Sequence, residues 1–481
     1  MASTAAPTGL RPSAARPLTD LDFCSAARIE EINKLIQELG KYEARDYGDR
    51  LALEVHSAKD FIFSMLGLVQ KQDHRLPVTN EYLLLSGGAR EGTLDLDPDN
   101  LGDYAWGPDY DLDFTLLVPA LKLHERGQPV ALDMRHCDPG HTWFGLHLFD
   151  SSVLAKWGGL CCAGDPLADT NAGLYLSPAK VADWFCGAVA AAMEEIGSRP
   201  RRGLPRVERV DRNGSLTTVL LTAGSCRVLY DLVPVVSFKG WPAVALAWPN
   251  RSHFWDGKVT GAAAAGGFYL LPACSRGGRG DAEREWRLCF SRSEVQLKRC
   301  IPEPLLQAFQ ACKAVLRLLS RPRALRPYHI RTTMLWACDR LPASFLGREE
   351  NAAHLFLGLL DDLLHCLINR SCPNYFLPCC NLLEPLQDSA ALLLARRLSC
   401  ARAEPTEHLR AAVEQAKAAA KLGQGQGVAG PAEGGRVDGE EGRFAEKVQQ
   451  LVTENQGKSI SVYLSPEDVS KSHFRVDQKF F

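Results

Sequence analysis

The feature that most constrains the fold is a change in hydrophobic periodicity close to Arg292. Upstream of it, short apolar segments with alternating polarity are frequent, and this pattern is typical of β-strands. Downstream, apolar residues recur with the period of an α-helix in the segments 294–319, 328–338, 349–369 and 386–410. The sequence therefore predicts a sheet-containing part followed by an all-helical part, which is an α+β arrangement.

The part before Arg292 is predicted to contain helices as well as strands. Between residues 20 and 72, apolar residues at helical spacing predict two long helices. A further helix is predicted over 176–196, with Ser177-Pro178 at its start. Strands are predicted over 78–86, 109–118, 216–221, 227–237 and 286–290, of which the third and fourth are neighbours.

Both ends of the chain are predicted to differ from the globular body. Residues 1–20 are rich in Ala, Ser, Pro and Arg, and their prolines favour a disordered tail over an organelle transit peptide. A flexible linker is predicted over 411–442, because residues 422–440 are Gly-rich and almost free of large apolar side chains. A short ordered tail is predicted over 443–481, with a helix near 443–453 and a strand from Ser459.

The charge balance argues against a protein that binds nucleic acid with its whole surface. The formal net charge is −2, whereas phosphate binding needs an excess of Lys and Arg. Basic clusters at 199–209 and 317–331 are most simply interpreted as solvated faces. A polyanion of nucleotide size would nevertheless need only a few of these charges.

Hydropathy and cysteine content predict a location inside the cell. No apolar run approaches the roughly 18 residues that a membrane-spanning helix needs, and the longest candidate is the Ala/Gly stretch 260–274. Sixteen cysteines lie mostly in apolar segments, and without a signal peptide they favour reduced thiols over disulfides. The sequence therefore predicts a cytoplasmic or nuclear protein without membrane contact.

The most informative segment joins a glycine turn to an acidic strand. Gly87 and Gly88 follow a predicted strand, and the backbone amides of such a turn can approach a phosphate without obstruction by side chains. Asp109, Asp111 and Asp113 alternate in the next strand, so they share one face. Three carboxylates on one face repel one another unless a cation lies there, and Mg²⁺ prefers such oxygen ligands. The alternative is a solvated acidic strand edge.

A third carboxylate comes from the apolar run 228–236, in which Asp231 is the single charge. Burying such a charge is costly unless it is paired or bound to metal; an edge-strand aspartate or a turn before Pro234 are the alternatives. With Asp109 and Asp111 it fits a scheme in which two Mg²⁺ or Mn²⁺ ions bridge a triphosphate and an attacking hydroxyl. Asp109 and Asp111 then bind both ions, and Asp231 holds the ion that activates the hydroxyl.

These residues, in this order, resemble the Mab-21 family of nucleotidyltransferase-fold proteins, which includes cyclic GMP–AMP synthase. The resemblance continues in Trp286-Arg-Leu-Cys-Phe-Ser291, Tyr328-His-Ile-Arg-Thr332 and Asn374-Tyr-Phe-Leu-Pro378, and it covers roughly residues 25–400. It implies a polymerase-β-like nucleotidyltransferase lobe over 21–297, with a mixed sheet and long N-terminal helices. It also implies an all-helical C-terminal lobe over 298–410.

Beyond the carboxylates, the resemblance implies a nucleotide-binding set. Gly87 and Gly88 would lie on the triphosphate, and Lys313 would contact a phosphate. Arg287 would contact a base or a phosphate, and Tyr375 would stack on a nucleobase, which suits an aromatic face. An ordinary core tyrosine is the alternative for Tyr375.

The sequence departs from the family pattern in three places. Gly88 stands where active members carry serine, and Cys289 also replaces a serine. The segment 298–312 lacks the zinc-binding His/Cys insertion of cyclic GMP–AMP synthase, so DNA sensing by that route is not implied. His365 and the cysteines within 372–380 do not match zinc spacing, and buried thiols are the simpler interpretation. No zinc is therefore expected.

Two functions are consistent with these residues. The first is an enzyme that uses ATP or GTP to make a cyclic dinucleotide or oligonucleotide second messenger, in response to an unknown activating ligand such as a nucleic acid. The second is a catalytically inactive nucleotide-binding scaffold or protein-interaction module, which Gly88 and the missing zinc insertion favour. The retained aspartates favour the enzyme, and family analogy adds protein partners and a homodimer to the expectations.

Overall fold

The computed structural model describes residues 26–43, 49–77, 82–86, 112–123, 131–135, 137–146, 151–163, 173–197, 205–224, 226–249, 267–275, 281–319, 325, 327–425, 459–463 and 473–477. The chain forms two compact units, Met1–Ala420 and Lys421–Phe481. The predicted tail 1–20 and the predicted helix near 443–453 lie outside the described residues.

The helices are named in chain order. They are α1 (Ala26–Glu43), α2 (Asp49–Gln72), α3 (Ser151–Trp157), α4 (Pro178–Gly197), α5 (Ser291–Lys298), α6 (Glu303–Leu319), α7 (Pro327–Arg340), α8 (Ala343–Leu346), α9 (Ala352–Ile368), α10 (Asp388–Ala403) and α11 (Pro405–Gly425). The strands are β1 (Leu83–Ser86), β2 (Leu112–Leu123), β3 (Ala131–Asp133), β4 (His141–Gly145), β5 (Cys161–Ala163), β6 (Leu174–Leu176), β7 (Arg206–Asn213), β8 (Leu216–Ala223), β9 (Cys226–Phe238), β10 (Phe268–Leu271), β11 (Glu285–Cys289), β12 (Ser459–Tyr463) and β13 (His473–Asp477).

A mixed sheet forms the centre of the larger unit. Its strands follow the order β1-β2-β9-β10-β11-β4-β6-β5, while β3 pairs with β4, and β8 pairs with both β7 and β9. β2 and β9 run parallel, and the other described pairs of this sheet run antiparallel. With two long helices before it and an all-helical part after it, this sheet confirms the predicted α+β class.

The two faces of the sheet have different partners. On one face α2 and α4 pack against β8 and β9, and Val228 and Tyr230 of β9 join the main hydrophobic core there. The other face carries a smaller apolar cluster that includes Val233 and Val235. Because side chains alternate along a strand, Asp231 lies on the same face as Val233 and Val235.

The helical part is built around α6 and α9, and α9 also contacts α7 and α10. The predicted lobe boundaries placed residues 26–43 with the sheet, but α1 packs against α6 and α9 instead. The reason is its apolar stripe, because Ile32, Ile36 and Leu39 are all buried at helical spacing. α1 therefore completes the helical part, whereas α2 covers the sheet.

An aromatic cluster connects the sheet to the helices. Phe376, from the loop after α9, stacks on Phe290 at a centroid distance of 5.0 Å. The same ring lies 5.2 Å from Trp248 and 5.9 Å from Trp241, which follow β9. We call Trp241, Trp248, Phe290 and Phe376 the junction cluster.

The C-terminal segments differ in part from the prediction. α11 continues to Gly425, so the predicted linker over 411–442 is wrong in its first part. Residues 411–421 are rich in Ala, Lys, Glu and Gln, which are strong helix formers. In the smaller unit, β12 confirms the strand predicted from Ser459, and it pairs antiparallel with β13, which was not predicted.

Candidate functional site

Asp231 lies near the middle of β9, where β2 and β8 flank this strand. The register pairs Asp231 with Thr115 of β2 and with Thr218 of β8. Both threonines are buried, and the Thr218 hydroxyl donates a 2.7 Å hydrogen bond to Oδ1 of Asp231. Residues directly opposite each other share a face, so Thr115, Asp231 and Thr218 form a row of oxygen-bearing side chains across three strands. We call these three residues the oxygen row.

The structure excludes both alternatives proposed for Asp231. β9 has a strand on each side of it at this position, so Asp231 is not on an edge strand. Pro234 starts no turn, because it continues β9 and pairs with Val118. Asp231 is partly exposed, whereas the seven residues after it are buried. The charge therefore interrupts an internal strand and reaches the surface on the face away from α2 and α4.

The other predicted metal ligands and the glycine turn lie outside the described residues. This holds for Asp109, Asp111, Gly87 and Gly88. β1 ends directly before the glycine turn, and β2 begins directly after Asp111. Their roles in metal and triphosphate binding therefore stay predictions.

The acidic segment leads into the strand beside Asp231. The backbone of Asp113 lies in β2 and pairs with Leu229, two positions before the pair formed by Thr115 and Asp231. Because β2 and β9 are parallel, the first residues of β2 lie at the same end of the sheet as the first residues of β9.

Arg287 shares a face with Asp231 but lies at a distance from it. It belongs to β11, where Cys289 joins the small apolar cluster on that face, and it pairs with Leu271 of β10. From the strand spacing and the rise per residue, its Cα lies roughly 16 Å from that of Asp231. The role of Arg287 as a contact of a base or a phosphate stays a prediction.

A group of polar side chains that the sequence did not single out surrounds Arg287. His141 pairs with Arg287 across β4 and β11, and burial together with the Arg287 charge lowers the pKa of His141 to about 4. Its Nδ1 has no hydrogen-bond partner within the described residues. His141 is therefore neutral at pH 7, so Arg287 supplies the positive charge of this group.

Tyr328 connects the helical part to the same region. Its hydroxyl accepts a 2.9 Å hydrogen bond from Nδ2 of Asn374, and burial raises its pKa well above the usual range. Both residues belong to the motifs that resemble the Mab-21 family. Their sequence gave no sign of this contact, because it joins α7 to the loop after α9.

Two residues of the predicted nucleotide-binding set are buried. Tyr375 is only 1 % exposed, and its hydroxyl donates a 2.8 Å hydrogen bond to Asp339. Its ring packs in T-shaped contacts with Trp336 and Phe376, which agrees with the alternative of a core tyrosine; stacking on a nucleobase stays a prediction. Lys313 is 2 % exposed within α6, and its contact with a phosphate stays a prediction.

The described side chains at Asp231 offer only oxygen donors. A carboxylate flanked by hydroxyls suits Mg²⁺ or Mn²⁺, whereas zinc prefers sulfur and imidazole. Within the described ranges, no group of three or more His, Cys, Asp or Glu side chains is placed to hold a metal ion. The predicted partners of Asp231 in a metal site, Asp109 and Asp111, lie outside these ranges.

Comparison with known proteins agrees with the fold and with the motifs. Residues 151–297 match the model of the Mab-21 protein nucleotidyltransferase domain, and residues 305–400 match that of the Mab-21 protein HhH/H2TH-like domain. A Bos taurus protein is 38 % identical over 87 % of this chain and 96 % of its own length. The chain belongs to the Mab-21 family.

The relatives of this Mab-21 member carry two kinds of name. The Bos taurus protein is named transmembrane protein 102, as is a Mus musculus protein that is 36 % identical over 87 % of this chain and 96 % of its own length. An Aedes aegypti protein named mab-21-like is 28 % identical over 44 % of this chain and 57 % of its own length. The match to the nucleotidyltransferase domain model supports a nucleotidyltransferase-like fold for this Mab-21 member.

The expected absence of membrane contact and the expected cytoplasmic or nuclear location are contradicted. Relatives that match most of the chain are named transmembrane proteins. Among the described residues, the helical stretch Glu349–Ile368 is also long and apolar enough to cross a membrane, by length and composition alone. The sequence interpretation missed it because it searched for an uninterrupted apolar run, and Asp361 and Asp362 interrupt this one.

Proposed function

We propose that this Mab-21 family protein is a nucleotidyltransferase that binds ATP or GTP with two Mg²⁺ or Mn²⁺ ions at the β1–β2–β9 end of its sheet. Asp231 is the observation that carries the proposal. It is a partly exposed carboxylate inside an apolar strand, and a buried threonine hydroxyl holds it in place. A preoriented carboxylate next to hydroxyl oxygens suits a hard divalent cation.

In this proposal each part of the site has one task. Asp109, Asp111 and Asp231 hold the two ions, which stabilise the attacking and leaving oxygens together. Gly87 and Gly88 supply backbone N–H groups to the triphosphate. The proposed product is a cyclic dinucleotide or an oligonucleotide, formed in response to an activating ligand that the residues do not identify.

The test uses the purified full-length chain with radiolabelled ATP and GTP, Mg²⁺ or Mn²⁺, and DNA or RNA as trial activators. We expect a labelled product that disappears in Asp231→Asn. Asp183→Asn is the matched control, because Asp183 is an exposed aspartate on α4 paired with Arg212. Product that survives Asp231→Asn, or no nucleotide binding with either metal, would overturn the proposal.

A second candidate is a nucleotide-binding scaffold that does not turn over its ligand. The burial of Tyr375 and Lys313, both of which belong to the predicted nucleotide-binding set, favours it. Gly88 in place of the serine of active members points the same way. Metal-dependent binding of ATP or GTP, lost in Asp231→Asn and without product under any activator, would select this candidate.

We also propose that the protein works in contact with a membrane while α9 stays inside the helical part. Membrane contact is proposed because relatives are named transmembrane protein 102. The helix α9 is proposed to stay inside the helical part because it is amphipathic, with His354, Asp361 and His365 exposed on one side and leucines buried on the other. A helix that spans a membrane is apolar on all sides.

Alkaline extraction of cell membranes tests this attachment. We expect sodium carbonate to release the protein from the membrane fraction, because α9 remains packed against α6 and α10. Retention in the membrane after carbonate, together with release by detergent, would show that a segment of the chain spans the bilayer. Complete absence from the membrane fraction before extraction would contradict membrane contact itself.

A further inference from the structure

The C-terminus of α9 ends in a left-handed turn that reverses the chain. Arg370 has a φ of +53° and is the one non-glycine residue in the described ranges with positive φ. The Ser371 N–H donates to the Cys366 carbonyl at 3.0 Å, and the Arg370 N–H donates to the Leu367 carbonyl at 3.3 Å. These are the two hydrogen bonds of a Schellman motif, in which the residues after the turn pack back on the last helical turn.

The reversal brings Cys372 back to Cys366. The two thiols are close enough to shift each other's pKa. The Cys372 backbone is fixed on both sides, since its N–H donates to Oδ1 of Asn381 at 2.9 Å and its carbonyl accepts from the Leu382 N–H at 2.9 Å. The proximity of the thiols is therefore a property of the turn and of the loop backbone.

The two cysteines differ in exposure and in acidity. Cys366 is partly exposed, whereas Cys372 is 1 % exposed. The neighbouring Cys372 side chain lowers the pKa of the Cys366 thiol, and the same interaction together with burial raises the pKa of Cys372 well above its usual range. The accessible sulfur is therefore the better nucleophile, and the buried sulfur lies beside it as a resolving thiol.

We propose that Cys366 and Cys372 form a redox-sensitive dithiol that hydrogen peroxide converts to an intramolecular disulfide. The Cys366 thiolate attacks one peroxide oxygen; a sulfur–oxygen bond forms, the oxygen–oxygen bond breaks, and the leaving hydroxide becomes water. The Cys372 sulfur then attacks the sulfenic sulfur of Cys366 and displaces hydroxide, which leaves as water with the thiol proton. Two thiols and one peroxide thus give one disulfide and two water molecules.

The disulfide would act on the loop that connects the helices to the sheet. Cys372 directly precedes the segment that contains Asn374 and Phe376, and Phe376 belongs to the junction cluster. A covalent bond to Cys366 fixes the start of this segment to the end of α9. Oxidation would therefore stiffen the connection between the two parts of the larger unit.

The positions of arginines allow a direct test. Trypsin cleaves after Arg348, Arg370 and Arg396, so Cys366 lies alone in peptide 349–370, and Cys372 lies in peptide 371–396. The full-length protein is treated with hydrogen peroxide, alkylated with N-ethylmaleimide and digested without reductant. We expect the two peptides to be joined by a disulfide, with loss of the alkylated form of the Cys366 peptide.

Substitutions identify the partner within peptide 371–396, which also contains Cys379 and Cys380. We expect Cys366→Ser and Cys372→Ser to abolish the joined peptides, and Cys379→Ser and Cys380→Ser to retain them. A joined peptide that survives Cys372→Ser, or peroxide that links only Cys379 to Cys380, would overturn the proposal. If a variant fails to fold, fragmentation of the joined wild-type peptides by tandem mass spectrometry identifies which cysteine of 371–396 is linked to Cys366.

The melting temperature provides an independent readout. Peroxide is expected to raise the melting temperature of the wild-type protein, and this shift is expected to be absent in Cys366→Ser. Cys400→Ser is the matched control, because Cys400 is an exposed cysteine on the neighbouring helix α10. An equal shift in wild type and Cys366→Ser would show that the disulfide does not stiffen the junction.

Discussion

At the residue scale, the Thr218 hydroxyl contributes to the orientation of the Asp231 carboxylate. Thr218 donates to Oδ1, so that oxygen is directed across the sheet toward β8. The partly exposed carboxylate is thereby held in one orientation, and the outer partners of metal ligands act in this way. The chemistry proposed for Asp231 thus depends on a threonine that is 2 % exposed on the adjacent strand.

Replacing Thr218 by valine tests this dependence. We expect Thr218→Val to weaken Mn²⁺-dependent nucleotide binding about tenfold, since loss of an outer partner of a metal ligand has effects of that size. Isothermal titration calorimetry measures the change. Thr217→Val is the matched control, because Thr217 is also buried on β8 but points to the opposite face. Equal losses in both variants would mean a general effect on the strand.

The neutral state of His141 makes stability depend on pH. Its pKa is lowered to about 4 in the folded protein, against roughly 6.5 in an unfolded chain. As the pH falls below 6.5, the unfolded chain takes up the proton first. The stabilisation is therefore fully present above pH 6.5 and is lost as the pH falls toward 4.

We expect the wild-type protein to lose up to about 3 kcal/mol between pH 6.5 and 4 through this group. His141→Gln, which stays neutral, should show a smaller loss over the same range. Urea unfolding at several pH values measures both proteins. Parallel pH dependence of the two unfolding free energies would contradict the assigned protonation state of His141.

At the scale of elements, a side chain of α1 caps the N-terminus of α9. The first residues of α9 receive no side-chain cap from Asn351, whose amide donates to Phe345 instead. Asn33 of α1 supplies the cap: its Oδ1 accepts the Ala353 N–H at 2.7 Å, and its Nδ2 donates to the Glu350 carbonyl at 3.0 Å. One side chain thus satisfies the start of α9 from a helix that is remote in sequence.

Truncation of this side chain measures the cap. Asn33→Ala is expected to lower the free energy of unfolding by about 1–2 kcal/mol, the usual cost of a lost N-cap. Lys34→Ala is the control, because Lys34 is exposed and pairs with Glu30 on the same helix; its effect is expected to stay below about 0.5 kcal/mol. Similar losses in both variants would argue against the cap.

The sequence predicted the helices and strands better than it predicted which side chains pack against one another. The apolar run within 227–237 was sufficient to predict β9, because a strand pattern is local. The burial of Tyr375 was not predictable, since it depends on Trp336 from α7 and on Phe376. Thr218 was missed for the same reason, because its partner lies on another strand. Local periodicity determines which segments are strands, and tertiary contacts determine which side chains remain accessible.

At the scale of the whole molecule, the junction cluster couples the sheet to the helices. Phe376 is 1 % exposed and contacts Trp241, Trp248 and Phe290. Truncation of a buried phenylalanine costs about 3–5 kcal/mol. Because Phe376 joins the sheet to the helices, both the stability of the protein and the cooperativity of its unfolding depend on this ring.

We expect Phe376→Ala to replace one calorimetric unfolding transition by two, because the sheet and the helices then unfold separately. Phe185→Ala is the matched control, since Phe185 is fully buried within the sheet part. It should lower the transition temperature without splitting the transition. A single transition in Phe376→Ala would show that other contacts are sufficient to couple the two parts.

The parallel pair of β2 and β9 also has a consequence during synthesis. The whole segment 124–225 separates these strands in sequence, although they lie side by side in the sheet. While the ribosome makes that segment, β9 does not yet exist, so the edge of β2 that will pair with it has no partner strand. Such non-local pairing forms slowly, and a nascent chain in this interval exposes a strand that can join another polypeptide. Chaperone capture and aggregation of incomplete chains should therefore concentrate before residue 226 emerges.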